Sequence, residues 1–257
     1  MLEQRGDTIE IARIESLRIR HNERADLLVS LGHARTVACA AVQLRAVIFD
    51  LGGVVAPSSI DAFRAFERSA GLPHRFISEV IVASGDDGAW SRLERGEASL
   101  VEFATAFEGE CEAAGATVKA ADMMSCLHGS GEARPTMLAA IARIREEGLK
   151  TAVLTNNWVG DDGLTMAERS PALAAAFDVI VESSIEGLRK PEPRIYELVC
   201  ERLDVTPQQA VFLDDLGVNL KPARAMGMTT IKVDDPDRAL AELEDVLGFS
   251  LTARSRT

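Results

Sequence analysis

The chain has 257 residues, enough for one large domain or for a core with a smaller insert. With 47% hydrophobic residues it can bury a sizeable core, while a formal net charge of −12 argues against a nucleic-acid-binding face and against docking on anionic membranes. No run approaches the roughly 18 apolar residues of a membrane span; four scattered cysteines (Cys39, Cys111, Cys126, Cys200) with no CxxC pair fit reduced thiols in a cytoplasmic protein, not a disulfide frame or zinc site.

Residues 1–43 form an N-terminal extension unlike the rest. Glu3, Asp7 and Glu10 fall where a signal peptide would carry its apolar stretch, so no secretory leader is expected. Ile11, Ile14 and Leu17 fit a loosely amphipathic helix, whereas Ile9 and Ile11 also fit a short strand. An appended arm without a catalytic role and a dimerisation element are both open readings, so homo-oligomerisation is left open too.

From Leu44 the chain alternates short apolar runs with helical patterns, which predicts a parallel sheet with crossover helices. The first strand, Leu44–Phe49, ends on Asp50 and breaks into Gly52-Gly53. A carboxylate placed there stands at the strand's carboxyl end, where open α/β sheets bind ligands. In the following stretch Phe63, Phe66, Ile77, Val80, Ile81, Leu93, Leu100, Phe103 and Phe107 recur at helical spacings, punctuated by Gly71-Leu72-Pro73, Gly85 and Gly88. A helical insert from Ser58 to about Ser130 is expected, with its aromatic residues in its own core. Trp90 and His74 are candidates for facing a cleft, but packed or surface roles suit them better. A helix from Pro135 to Glu147 follows, with Pro135 in its first turn and Gly148 ending it.

The second strand, Thr151–Leu154, runs into Thr155-Asn156-Asn157. A hydroxyl and neighbouring N–H groups there make a small anion cradle, although an ordinary helix cap reads the same way. After a third strand, Val179–Val181, comes Arg189-Lys190-Pro191-Glu192-Pro193, leading into a helix Glu192–Leu203 with Ile195, Leu198, Val199 and Leu203 on one face. Pro191 biases Lys190 to an extended backbone. A cation at a helix start opposes the helix dipole, so Lys190 needs an anionic partner to justify its place. The fourth strand, Ala210–Leu213, ends in Asp214-Asp215, and a helix starts near Asn219 before a fifth strand, Thr230–Val233. Two adjacent carboxylates repel unless a cation sits between them and Asp50, and an all-oxygen ligand set favours Mg²⁺. A helix-capping Asp pair is the plainer alternative.

Asp50, Thr155, Lys190 and Asp214/Asp215 match, in order and spacing, the four motifs of the haloacid dehalogenase-like hydrolase superfamily, which the chain resembles from about Leu44 to Phe249. The phrases FDLGGVV, LTNN, GLRKPEPRIYE and VFLDDLGVNLKPARAMGM look most like the branch containing the phosphatase domain of soluble epoxide hydrolase and the N-terminal domain of acyl-CoA dehydrogenase family member 10. The resemblance implies a Rossmann-like α/β core at 44–57 and 131–257, with a helical cap at 58–130 inserted after the first strand. It implies Asp50 as a nucleophile that takes a phosphoryl group, Thr155 and Asn156 as ligands of phosphoryl oxygens, and Lys190 as the neutralising cation. Asp50, the backbone carbonyl of Gly52 and Asp215 would hold Mg²⁺, with Asp214 on a metal-bound water and Asn219 supporting the loop. The substrate implied is a small phosphomonoester.

Gly52 departs from that pattern. Most phosphatases of the superfamily carry there a second Asp that protonates the leaving group, help typically worth ~10²–10⁴-fold. Some relatives with Gly at this place resemble active sugar-phosphate phosphatases, so the departure does not imply an inert protein. A non-catalytic phosphate-binding or regulatory module is the main rival reading. A 2-haloacid dehalogenase is a weaker one, since it has little use for the Asp214-Asp215 pair.

Overall fold

The computed structural model describes residues 42–128 and 132–251. The expected N-terminal helix or strand, Cys39 and the end of the helical insert at Ser130 lie outside those residues. No described helix is long and apolar enough to cross a membrane.

Five parallel strands form one sheet in the order β3-β2-β1-β4-β5: β1 Ala46–Phe49, β2 Lys150–Thr155, β3 Val179–Glu182, β4 Ala210–Asp214 and β5 Thr229–Lys232. β1 is buried along its whole length because successive side chains enter different layers. Val47 and Phe49 join Met137, Ile141, Val153, Leu213 and Leu243 on one face, whereas Ala46 and Ile48 join Leu154, Ile195, Val199 and Phe212 on the other. The chain winds from β1 through β2 to β3, then returns to lay β4 on the opposite side of β1. The direction of winding therefore reverses between β1 and β4, and the crevice at their carboxyl ends is where such sheets place ligands.

Between β1 and the sheet's next helix lie α1 Ser59–Ala70, α2 Phe76–Ser84, α3 Ala89–Glu94, α4 Leu100–Ala113 and α5 Ala120–His128. They share an apolar cluster of their own, in which Phe63, Phe103, Phe107 and Trp158 surround Trp90. Ser58 caps α1 by accepting from the Ile60 N–H, and a Ser99–Glu102 capping box starts α4. His74 is exposed. Flanking the sheet are α6 Pro135–Glu146, α7 Met166–Arg169, α8 Pro171–Ala174, α9 Ser183–Glu186, α10 Pro193–Leu203, α11 Gly217–Ala225 and α12 Pro236–Leu247. Cys111, Cys126 and Cys200 are free thiols.

Several boundaries differ from the sequence expectation. β1 begins its pairing at Ala46, opposite Lys150 and Ala210, although Arg45 already donates its N–H to Gln209 O. β5 sits one residue earlier than expected. α10 starts at Pro193, with Glu192 as an extended N-cap, because a residue preceding proline is pushed away from helical backbone. The short α7–α9 have no apolar period long enough to be read.

Candidate active site

Asp50 follows β1 directly, its N–H bonded to Leu213 O of the neighbouring strand, so its carboxylate emerges at the β1–β4 crevice. Asp214 ends β4 and Asp215 follows it. One oxygen from each of Asp50, Asp214 and Asp215 lies within 4.8 Å of the others. Lys190 arrives from the loop before α10 and bridges two of them: its Nζ is 2.8 Å from Asp50 Oδ1 and 2.7 Å from Asp214 Oδ2. The lysine is 1% exposed and Asp214 0%. Lys190 thus has the anionic partners expected of it, but not at a helix start: it is a buried bridge in the loop before α10 begins.

The Asp214 carboxylate is enclosed by donors. Leu216 N–H reaches Oδ1 at 2.8 Å, and Asn219 Nδ2 lies 3.1 Å from each oxygen. Tyr196 fixes that turn through its hydroxyl, which donates to Asn219 O at 2.7 Å. Neither Asp caps α11; its N-cap is Leu216, with no side-chain bond. The capping alternative is thereby set aside for this pair.

Asp215 is half-buried and accepts from Ser58 Oγ at 2.9 Å. The cap residue of α1 thus also anchors a site carboxylate, a link across a separation of 157 positions that no local pattern could reveal. Gly53 makes the approach possible. It has φ +80°, and a Cβ there would stand 2.1 Å from Asp215 Oδ2. At Gly52 the backbone is outside the left-handed region, and a Cβ would meet only Ser59 Oγ, at 3.6 Å.

Thr155 is buried at the end of β2, its hydroxyl within 3.4 Å of Asn156 O. The Asn156 carboxamide is turned to the lysine loop: Oδ1 accepts Lys190 N–H at 2.8 Å and Nδ2 donates to Lys190 O at 2.9 Å. Its side chain therefore holds Lys190 in place, a role the sequence reading did not foresee. Also unforeseen is Glu94, a buried carboxylate of α3 that contacts Asn156 and Arg189. Its local sequence, Ala89-Trp90-Ser91-Arg92-Leu93-Glu94, carries no signal that sets this carboxylate apart from any other helical Glu.

Burial is the main reason the Asp50 carboxyl is pushed up to about 8; Asp214 and Asp215 add to the rise and Lys190 opposes it. Burial also raises Asp215, against the Ser58 hydrogen bond. Burial alone would lower the Lys190 ammonium, but Asp214 and Asp50 together hold it above its ordinary value, so it stays charged. Three carboxylates facing one ammonium leave a local excess of negative charge, and this all-oxygen set fits a hard divalent cation. A groove of about 770 Å³ lined by Arg145, Lys150, Asp178 and Arg202 lies at the opposite, amino end of β2 and β3, away from this cluster.

A haloacid dehalogenase-like hydrolase family model matches residues 44–227. The chain is 42% identical over 210 residues to acyl-CoA dehydrogenase family member 10 of Mus musculus, a match covering 80% of this chain and 19% of that protein. It is 36% identical to bifunctional epoxide hydrolase 2 of Sus scrofa, covering 81% of this chain and 40% of that one. It thus spans well under half the length of either relative. Phosphatase MT3486 of Mycobacterium tuberculosis (strain CDC 1551 / Oshkosh) is 32% identical, covering 75% of this chain and 88% of that one. Among solved structures, a HAD family enzyme of Bacteroides thetaiotaomicron in complex with magnesium and inorganic phosphate shares the fold, with TM-score 0.52, 22% identity and coverage of 74% of this chain and 93% of that one. The chain belongs to the haloacid dehalogenase-like hydrolases.

Proposed function

We propose that this haloacid dehalogenase-like hydrolase is a Mg²⁺-dependent phosphatase acting on a small phosphomonoester through an aspartyl-phosphate on Asp50. The observation that carries the reading is the buried Lys190 bridge between Asp50 and Asp214 with Asp215 alongside. It leaves room in the charge balance for a divalent cation, and phosphoryl transfer depends mainly on positioning and on charge stabilisation by metal and cations. The likeness to phosphatase MT3486 supports the same reaction class.

In this reading Asp50, Asp215 and the Gly52 carbonyl would hold the ion, with Asp214 beside them. Bound Mg²⁺ supplies Lewis-acid charge neutralisation to the phosphoryl oxygens. The chain's own groups do the rest. Lys190 Nζ and Leu51 N–H, the latter at 2.6 Å, both engage Asp50 Oδ1, which fixes the carboxylate and leaves Oδ2 as the attacking oxygen. Thr155 Oγ1 and the Asn156 backbone N–H receive the phosphoryl oxygens, while the Asn156 side chain stays on Lys190. Attack forms an Asp50 O–P bond and breaks the ester P–O bond. With Gly at position 52 the departing alkoxide takes its proton from solvent, and water then hydrolyses the acyl phosphate to return the Asp50 carboxylate. The helices α1–α5 act as the cap over this site, and the chain works in the cytoplasm.

Gly52 is the one observation favouring a second reading, a phosphate-binding module without turnover. Hydrolysis of p-nitrophenyl phosphate with Mg²⁺ and with chelator decides between them. Turnover that needs Mg²⁺ and disappears in Asp50→Asn supports the phosphatase. Phosphate binding without any turnover supports the module, and turnover surviving in Asp50→Asn removes Asp50 as nucleophile.

A further inference from the structure

Glu94 belongs to the helical segment, yet its carboxylate serves the sheet. Oε1 accepts the Trp90 Nε1–H at 2.9 Å. Oε2 accepts Arg189 Nε at 2.8 Å, Arg189 Nη2 at 2.7 Å and Asn156 Nδ2 at 3.2 Å. Asn156 in turn grips the Lys190 backbone at both its N–H and its carbonyl. One carboxylate of α3 is thereby connected, through one carboxamide, to the peptide that carries the bridging lysine.

A pair serving stability alone would need only Arg189, and buried ion pairs are often no better for stability than apolar replacements. The bond to Asn156 adds something different. A carboxamide can lie in two orientations that exchange its oxygen and nitrogen. A carboxylate only accepts, so Glu94 favours the orientation that turns Nδ2 toward it. The Lys190 N–H and carbonyl select the same orientation, and Glu94 reinforces it by accepting from Nδ2 as well. Resting on the phosphatase reading above, we infer that Glu94 is a positioning residue for the reaction. It orients Asn156 and the Arg189–Lys190 peptide, and so sets where the lysine ammonium stands between Asp50 and Asp214.

The test compares Glu94→Ala, Glu94→Gln and, as control, Ile77→Val, which loosens the same helical cluster at a buried residue of α2, a different helix from that of Glu94 and Trp90. Gln keeps a single acceptor oxygen and presents an NH₂ to a surround of donors, so it should fall between parent and Ala. With p-nitrophenyl phosphate and Mg²⁺, Glu94→Ala should lower kcat about tenfold or more while KM moves less than about threefold, because a misplacement of ~1 Å can cost ~10²-fold. Ile77→Val should keep kcat within about twofold of the parent despite its lower melting temperature. Trp90 and Trp158 are the chain's two tryptophans, with ring centroids 5.8 Å apart, so intrinsic emission reports the loss of the Glu94 contact independently of turnover. Altered emission with parental kcat in Glu94→Ala overturns the inference, as does an equal loss of kcat in Ile77→Val. If Glu94→Ala does not fold, Glu94→Gln carries the same two outcomes. A parent inert toward p-nitrophenyl phosphate sinks the phosphatase reading instead, and calorimetry with inorganic phosphate plus Mg²⁺ then decides: weaker binding in the Glu94 variants supports the positioning role, parental affinity overturns it. A parent that binds no phosphate either removes both.

Discussion

Replacing Gly52 by Asp asks whether the site lacks only its proton donor. The substitution is sterically open, since Gly52 has no left-handed φ and its Cβ would make one ordinary contact, 3.6 Å from Ser59 Oγ. Ser59 is the first residue of α1, and a carboxylate beside a helix N-terminus gains about 0.3–1 kcal/mol. Repulsion from Asp50, Asp214 and Asp215 opposes that gain, so stability should change by no more than about 1 kcal/mol, a shift of about 2–4 °C in Tm. A positioned general acid is worth ~10²–10⁴-fold, or about 3–5 kcal/mol of barrier. The gain should appear in kcat/KM for alkyl phosphates, whose leaving alkoxide needs the proton, and hardly at all for p-nitrophenyl phosphate. Steady-state kinetics on both substrates with Mg²⁺, after a thermal melt to confirm folding, measure it. A folded variant with no gain on any alkyl phosphate, or with equal gains on both substrates, refutes the placement of residue 52 at the leaving group. The same result from a parent inert on p-nitrophenyl phosphate favours the binding module.

Asp50→Asn should abolish turnover yet leave the melting temperature unchanged or higher, because a buried carboxylate pushed up to about 8 is replaced by a neutral group of its shape; a clear loss of stability would contradict the burial argument. Lys190→Ala should cost about 3–5 kcal/mol in urea unfolding, since it leaves Asp50 and Asp214 buried without their cation. Mg²⁺ should restore part of that loss, and a variant as stable as the parent without metal would show that the bridge is not buried in solution. Gly53→Ala places an L side chain at positive φ, costing about 1–2 kcal/mol, and pushes Asp215 aside, so it should also abolish any Mg²⁺-induced rise in Tm. Gly52→Ala should leave that rise intact, and equal behaviour of the two glycine variants would refute the contact geometry. For pH, Asp50 and Asp215 both lie above their ordinary values, so between about pH 4 and 8 the folded state holds more protons than the unfolded one. Metal-free stability should therefore fall as pH rises through that window, and saturating Mg²⁺ should flatten the decline; melts across the range that rise with pH in the absence of metal would overturn the sign.

The strands were legible because a sheet covered on both faces demands unbroken apolar runs, and Ala46–Phe49, Ala152–Leu154 and Ala210–Leu213 meet that demand. The polar residues ending three of them, Asp50, Thr155 and Asp214, were legible for the complementary reason that a polar group after a buried strand marks where the core stops. What sequence could not supply was partnership across the fold. Ser58 reads as a helix cap and is one, but its second bond to Asp215 depends on how α1 meets β4. Asn156 reads as an anion ligand, and its carboxamide instead holds a backbone 34 positions away. Lys190 was assigned the correct partner sign from a wrong premise: the helix dipole argument needs a residue on the helix, and α10 begins only at Pro193.

Lys190 stands in the interior with its carboxylate partners, so the chain's overall acidity does not set the charge balance of the crevice. The overall charge of −12 is spread over a solvated surface and is screened within about 10 Å at moderate ionic strength, so it says little about one crevice. Inside the crevice the balance is set by three carboxylates and one ammonium at short range. A phosphate dianion entering that field without further compensation meets net repulsion at low dielectric. On the phosphatase reading a divalent cation would cancel that excess negative charge and take the place of the proton that burial favours on Asp50. On that reading metal and phosphate binding would be thermodynamically coupled through the same carboxylates, each strengthening the other by an equal factor. The lysine alone cannot produce that coupling, because its single charge is already taken up by the two carboxylates it bridges.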